Sequence, residues 1–128
     1  MKRRFGISIP NELATELDEF IRIIRSDRSS VICEAIKQFV YEHRHYEVEH
    51  ECSGLLICVR KHGKKSKKID IDEYMDIIKN YVHFHFNKLC IEIYLVSGLS
   101  NKISKLHSLI RENTPYVRYY SLHEYLYK

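Results

Sequence analysis

The sequence has 128 residues, 45% hydrophobic and 30% charged, which is the composition of an ordinary globular protein. Its longest wholly apolar run, Leu55 to Val59, has five residues, whereas a membrane helix needs roughly 20, and no apolar stretch follows the N-terminal Met-Lys-Arg-Arg as a secretory signal would require. The net charge of +4 permits contact with nucleic acid, and four scattered cysteines favour a cytoplasmic protein with reduced thiols over a disulfide framework.

The first predicted element is a strand over residues 4–9, where apolar and polar side chains alternate. Its polar face carries Arg4, Gly6 and Ser8. Pro10 ends the strand because it has no N–H to donate to a ladder. Since one strand with a polar face cannot close a sheet alone, we expect a second copy of the chain to pair with it.

Two amphipathic helices are predicted next. Apolar residues recur at helical spacing over residues 13–24 and 31–40, and Ser29 or Ser30 is placed to cap the second helix. The apolar stripe fades in the charged run of residues 41–51, which indicates a linker or a frayed helix end. The strand–helix–helix unit of residues 1–46 buries too little to be stable alone, so an obligate dimer with a two-stranded antiparallel ribbon is predicted.

Residues 52–128 predict a second domain of strands and helices. A buried strand over residues 54–59 is followed by a lysine-rich loop, residues 61–68, which is either solvated charge or a phosphate contact flanking the ribbon. The remaining predictions are a helix over residues 70–80, strands over 81–86 and 89–96, a helix including 103–110, and a strand over 116–120. The order β-α-β-β-α-β is that of the ferredoxin-like fold, so the chain is predicted to be an α+β protein.

The polar face of the first strand is a candidate DNA-binding surface. A two-stranded ribbon fits the major groove, where Arg4 suits guanine and Ser8 can donate or accept a hydrogen bond. At the start of the second helix, Arg28, Ser29 and the free backbone amides form a phosphate clamp. Two further basic residues are expected near phosphates, Lys2 and Arg3. The alternative is an ordinary edge strand with a basic tip.

The stretch Arg28-Ser-Ser-Val-Ile-Cys-Glu-Ala-Ile36 resembles the second-helix opening of the ribbon-helix-helix family of transcription factors, Arg-Ser-x-x-Ile-x-x-Ala-Ile. The resemblance covers residues 2 to about 45. It implies Arg4, Gly6 and Ser8 as the residues that read bases. Gly6 departs from the polar side chain usual at the middle position, so that contact is either lost or made by the backbone.

A candidate metal site lies in His83-Phe-His85-Phe-Asn-Lys-Leu-Cys90. A two-residue turn at Asn87-Lys88 would place His85 opposite Cys90, with His83 on the same face. Because cross-strand partners lie about 5 Å apart, two imidazoles and a thiolate could meet on one ion, and nickel, copper, cobalt and zinc favour that ligand set. The alternative is a pair of solvated histidines beside a small hydrophobic cysteine.

The two faces of this hairpin are predicted to have different roles. Glu92 would join the histidines opposite His83, on an exposed face expected to form a subunit interface. The other face is apolar and is expected to pack against the two helices; it carries Val82, Phe84, Phe86, Leu89, Ile91 and Ile93. The other histidines of interest are assigned to solvated positions, namely His43, His45, His107 and His123.

Together, the ribbon-helix-helix head, the ferredoxin-like tail and His-x-His followed by Cys-x-Glu resemble the nickel-responsive regulator family over nearly the whole chain. That family implies a homotetramer and a square-planar nickel site with three ligands matching His83, His85 and Cys90. The fourth family ligand is a histidine on a neighbouring subunit's helix, but this sequence has Asp72 there, so zinc, cobalt or copper could replace nickel. His62 matches a Val-x-x-His position of the family near the edge of the sheet.

The leading hypothesis is therefore a metal-responsive transcriptional regulator that binds a palindromic double-stranded DNA operator as a homodimer or homotetramer, with nickel as its metal. The second hypothesis is a ribbon-helix-helix repressor of antitoxin type, whose C-terminal domain binds a protein partner or a small molecule instead of metal. An enzyme is least favoured, because the His/Cys cluster contains no partnered base and nucleophile.

Overall fold

The computed structural model of the protein describes residues 1–61, 70–122 and 126. The chain separates into two compact units, Met1–Phe39 and Val40–Lys128. The protein is α+β, with helices first along the chain and a four-stranded antiparallel sheet after them. Within the described ranges, no helix has the length and apolar character needed to cross a bilayer.

The first unit contains helix α1 (Asn11–Ile24) and most of helix α2 (Arg28–Glu42). Residues 1–10 form neither helix nor strand. The strand predicted over residues 4–9 is thus not formed in the single chain, where it has no neighbouring strand to supply hydrogen bonds. The prediction that Ser29 or Ser30 caps α2 is wrong, because the Asp27 carboxylate accepts hydrogen bonds from the backbone N–H and the hydroxyl of Ser30, both at 2.8 Å.

The helices of the first unit keep much of their apolar surface uncovered. No residue of α1 is buried. The large hydrophobic side chains left exposed along α1 and α2 are Leu13, Phe20, Ile23, Ile24, Ile36, Phe39 and Val40. An amphipathic helix normally buries its apolar stripe, so this surface is one that a partner would be expected to cover.

The second unit is built on strands β1 (Glu51–Lys61), β2 (Ile78–Phe86), β3 (Leu89–Leu99) and β4 (Val117–Ser121) with helix α3 (Ser100–Asn113). The strands lie in the order β2-β3-β1-β4, and every neighbouring pair is antiparallel. The strands predicted over residues 54–59, 81–86 and 89–96 are confirmed, and each is longer than predicted.

The helix predicted over residues 70–80 is wrong. Only a 3-10 turn forms there, Ile71–Tyr74, and Ile78 already begins β2. The Asp70 carboxylate caps this single turn by accepting the backbone N–H of Asp72 at 3.2 Å. Of the residues whose helical spacing suggested a helix, Tyr74 is buried but Met75 is 57% exposed, and the second buried side chain of this segment is Ile77.

The core lies between one face of the sheet and α3. Its buried side chains are Cys52, Leu56, Cys58, Tyr94 and Val96 from the sheet and Ile103, Leu106 and Ile110 from α3. Since side chains alternate along a strand, Cys90 and Glu92 lie on this same face of β3. The opposite face, predicted to pack against helices, is the open one, for Val82, Phe84 and Phe86 are 49%, 45% and 62% exposed.

The segment after α2 is neither a linker nor a frayed end. The last residue of α2, Glu42, is buried and accepts two hydrogen bonds from Arg118, at 2.6 and 2.8 Å. Its carboxylate also accepts the backbone N–H of Tyr119 at 3.0 Å. A second 3-10 turn, Arg44–Tyr46, follows directly. The prediction for residues 41–51 was therefore wrong, because a charged side chain was paired by a strand far along the chain.

The predictions for the histidines of this segment, and for His107 of α3, are also wrong. His45 and His107, both predicted to be solvated, are 1% and 0% exposed. Nε2 of His45 lies 2.6 Å from Nδ1 of His107, so a hydrogen bond joins the 3-10 turn to α3. His43 is partly buried beside them, and His123 lies outside the described residues. Polar pairing across the fold, which spacing along the chain does not reveal, allows this burial.

Candidate metal centre

The hairpin formed by β2 and β3 sets the positions of the candidate ligands. Asn87 and Lys88 both have positive φ, 46° and 63°, as a two-residue hairpin turn of the tight primed type requires. The strands pair with His85 opposite Cys90 and His83 opposite Glu92. The predicted register is confirmed, and it places the two imidazoles and the thiol on one face.

The three side chains converge closely. Nε2 of His83 lies 2.9 Å from Sγ of Cys90 and 3.1 Å from Nε2 of His85, and all three donor atoms lie within 4.8 Å of one another. Donors bound at about 2.0–2.3 Å from a metal ion, at right angles to each other, are roughly 3 Å apart. The residues present therefore fit a divalent transition metal, with two imidazoles and a sulfur as ligands.

The fourth ligand is not supplied by this group. Asp72 lies exposed in the 3-10 turn Ile71–Tyr74 and is not a member of the three-residue cluster, the single such cluster found in the described part of the chain. His62, the other residue singled out by the family resemblance, lies outside the described residues. Three donors leave at least one coordination position open to a group from elsewhere.

Glu92 does not join the ligands, although it lies opposite His83. Its carboxylate, 4% exposed, binds the guanidinium of Arg60 and accepts hydrogen bonds from the hydroxyls of Tyr81 and Tyr94 at 2.9 and 2.6 Å. Burial raises the pKa of both tyrosines, so their hydroxyls stay protonated and donate. The sequence did not reveal that Arg60 and Tyr94 bind Glu92. For Arg60, the signal would have been the pairing of β1 with β3, which places it opposite Cys90.

The residues predicted to contact DNA lie in the first unit and are exposed. Five of them are in the segment without regular structure, Lys2, Arg3, Arg4, Gly6 and Ser8. Arg28 begins α2, where its guanidinium binds both carboxylate oxygens of Asp18, at 2.8 and 2.6 Å, and Ser29 follows it. Both side chains are exposed, 69% for Arg28 and 47% for Asp18, so any other anion that bound this guanidinium would compete with Asp18. Of the lysine-rich loop, Lys61 is exposed and residues 62–68 lie outside the described residues.

No protein-family model matches the chain. Comparison with individual known proteins does find relatives. A protein of Saccharolobus islandicus is 34% identical over 109 residues, covering 82% of this chain and 80% of the relative. One from Syntrophus aciditrophicus is 31% identical over 114 residues, covering 84% and 82%, and one from Thermococcus onnurineus is 30% identical over 112 residues, covering 80% and 79%. All three are named "Putative nickel-responsive regulator". With this identity over most of its length, the chain belongs to the nickel-responsive regulator family.

Proposed function

We propose that the protein is a nickel-responsive transcriptional regulator, not an enzyme, which binds operator DNA in the cytoplasm and changes its DNA affinity when it binds metal. The observation that carries the proposal is the cluster of His83, His85 and Cys90, whose donor atoms lie about as far apart as ligands of one ion. The names of the relatives support nickel as the metal.

The proposed architecture is a ribbon-helix-helix domain, residues 1–46, followed by a ferredoxin-like domain, residues 52–128. The strand order β2-β3-β1-β4, with every pair antiparallel, supports the second part of this proposal. In place of the first helix of that fold, the described residues contain the 3-10 turn Ile71–Tyr74. For the first part, α1 and α2 supply the two helices, and residues 4–9 would form the ribbon when two chains pair.

Nickel at this site would be held by the two imidazoles and the thiolate, and would link subunits if a neighbouring chain completes the ligand set. The protein's own residues determine the conditions for this. Each imidazole must present Nε2 as a lone pair, and the thiol of Cys90 must lose its proton. Metal affinity should therefore fall as the pH is lowered. Asp72 of a neighbouring chain is the proposed fourth ligand, with zinc, cobalt and copper as alternative metals for an oxygen donor.

The protein should associate into homodimers or homotetramers. Two apolar surfaces remain exposed in the single chain, one on α1 and α2 and one on the sheet face that carries Val82, Phe84 and Phe86, and contiguous exposed apolar surface is typical of interfaces. Light scattering at micromolar concentration should give a mass of two or four chains. A stable species of 15.4 kDa would contradict both the ribbon and the shared metal site.

DNA binding should depend on Arg4 and Arg28 in different ways. A site selected from random double-stranded DNA in the presence of nickel should be palindromic, and Arg4→Ala should weaken its binding by roughly 1–3 kcal/mol while relaxing one base preference. Arg28→Ala should weaken selected and random DNA alike, because a phosphate contact carries no sequence information. Both are measured by titration of labelled DNA with and without nickel.

The matched control is Lys105→Ala, which removes one positive charge from the exposed side of α3 in the second unit. It should leave the affinity for selected DNA unchanged. If Arg4→Ala and Arg28→Ala lowered affinity equally on every sequence, residues 4–9 would not read bases. If nickel left the protein's affinity unchanged for every DNA tested, the metal-responsive part of the proposal would fail.

A further inference from the structure

Arg60 connects the proposed metal ligands to the interior of the sheet. It lies in β1 directly opposite Cys90 in β3, so the two side chains share a face. Its Nη2 atom lies 4.0 Å from Sγ of Cys90, and the same atom donates to Oε1 of Glu92. One guanidinium nitrogen therefore contacts both the sulfur and a buried carboxylate.

Glu92 is held too firmly to serve as a ligand itself. Its side chain is 5% exposed, and a buried carboxylate is tolerated only when its charge is compensated and its oxygens accept hydrogen bonds. Arg60 supplies the charge at Oε1, while Tyr81 and Tyr94 donate to Oε2. Binding a metal through Glu92 would break this arrangement. Glu92 instead holds the guanidinium of Arg60 next to the sulfur, and its own Oε1 lies 3.9 Å from Sγ of Cys90.

We propose that Arg60 is a positioning residue that acts through the thiolate of Cys90. Glu92 holds the guanidinium of Arg60 next to the sulfur, and the positive charge of the guanidinium lowers the energy of the sulfur lone pairs. This inference rests on the proposed metal function. A guanidinium is charged at every accessible pH and has no acceptor, so it interacts with the thiolate and not with the metal ion. Hydrogen bonding around a ligand sulfur is an established means of tuning a metal site.

The test uses cobalt(II) as a spectroscopic probe in the full-length protein. In the unmodified protein, the thiolate should give a sulfur-to-cobalt charge-transfer band. Arg60→Met removes the charge and should move this band to longer wavelength, because the sulfur electrons are then more easily excited. Arg60→Lys keeps a positive charge, so its band should lie closer to the wavelength of the unmodified protein than the band of Arg60→Met does. The matched control, Lys61→Met, removes the same charge from the next residue of β1, whose side chain points to the other face, and should leave the band unmoved.

Glu92→Gln tests whether Glu92 acts through Arg60. Oε1 of Glu92 itself lies 3.9 Å from Sγ of Cys90, so Glu92→Gln removes a negative charge beside the sulfur and also releases Arg60, and these two effects move the band in opposite directions. If Glu92 acts through Arg60, Glu92→Gln should move the band by a different amount in the Arg60→Met background than in the unmodified protein. Circular dichroism of each variant verifies the fold, and Arg60→Gln, which removes the same charge but keeps a polar side chain, replaces Arg60→Met if that variant does not fold.

The outcomes separate this inference from the proposed function. A protein that gives no thiolate-to-cobalt band at all contradicts the metal function. A band that is present but unmoved in folded Arg60→Met, or a Glu92→Gln shift of the same size with and without Arg60, overturns the inference about Arg60 and leaves the metal function standing. An equal shift in Lys61→Met would also overturn it, because the band would then respond to the overall charge and not to this contact.

Discussion

Replacing Cys90 with serine, or His83 or His85 with alanine, should abolish stoichiometric nickel binding. Each change removes one of three clustered donors, and loss of a direct ligand should exceed the 10–100-fold (order-of-magnitude) cost of disturbing only its surroundings. Equilibrium dialysis with nickel, zinc, cobalt and copper in parallel measures the affinities and their order. Cys90→Ser should also remove any thiolate-to-metal absorption band.

The control for this experiment is His50→Ala, which removes a histidine that lies outside the cluster. It should leave the metal content at one ion per subunit. If the three ligand variants all kept the metal content and DNA affinity of the unmodified protein, the site would not be a sensor. The antitoxin-like repressor, with a C-terminal domain that binds a partner, would then be the better hypothesis.

Asp72→Ala identifies the fourth ligand. If a neighbouring chain supplies Asp72, the substitution should weaken nickel binding and leave three donors in place. An unchanged affinity in Asp72→Ala together with a lost affinity in His62→Ala would show that His62 completes the site instead. The three-residue cluster would stand in either case.

The metal-free protein should lose roughly 2–4 kcal/mol of unfolding free energy between pH 7.5 and pH 5, at about 1.36 kcal/mol per pH unit for each group that protonates only on unfolding. Burial lowers the pKa of His45 to about 3 and that of His107 to about 4, from 6.5. As the pH falls below 6.5, the unfolded chain takes up protons at both imidazoles and the folded chain does not. Stability therefore decreases with falling pH, and the loss ends only below pH 3–4.

Urea unfolding in the presence of a chelator measures this dependence. The chosen pH window lies above the range in which carboxylates protonate, so the histidines dominate it. The variant His45→Gln/His107→Gln cannot take up these protons and should lose much less stability between the two pH values. His50→Ala should change the loss far less, because burial and not the charge of His50 is the largest cause of the lowered pKa of His45. Equal unfolding free energies at pH 7.5 and pH 5 would contradict the assignment of buried neutral imidazoles.

The sequence allowed the hairpin to be predicted in detail because its information is local. The turn residues Asn87 and Lys88 fix the pairing, and once the pairing is fixed, strand alternation determines that His83, His85 and Cys90 share a face. By contrast, Ile71 and Tyr74 have helical spacing, yet they lie in a single 3-10 turn because β2 begins at Ile78 and pairs with β3.

Burial that depends on distant partners could not be predicted in this way. Both faces of the sheet are apolar, so alternation along β3 did not reveal which face α3 covers. His45 is buried against His107, 62 residues away, and Glu42 binds Arg118, 76 residues away. A polar residue whose partner is so distant has the same local pattern as a solvated one.

The buried histidines also have a consequence for where individual hydrogens lie. An arginine can only donate, and Nη2 of Arg111 lies 3.0 Å from Nε2 of His107, so that nitrogen must be an acceptor. The hydrogen of neutral His107 is then on Nδ1, from which it is donated to Nε2 of His45. His45 in turn must carry its own hydrogen on Nδ1, a buried atom with no hydrogen-bond partner among the described residues. The chain of donors thus runs in one direction, from Arg111 through two rings that both carry their hydrogen on Nδ1. Nitrogen NMR should distinguish this δ-tautomer at both histidines from the ε-tautomer that imidazole prefers in water.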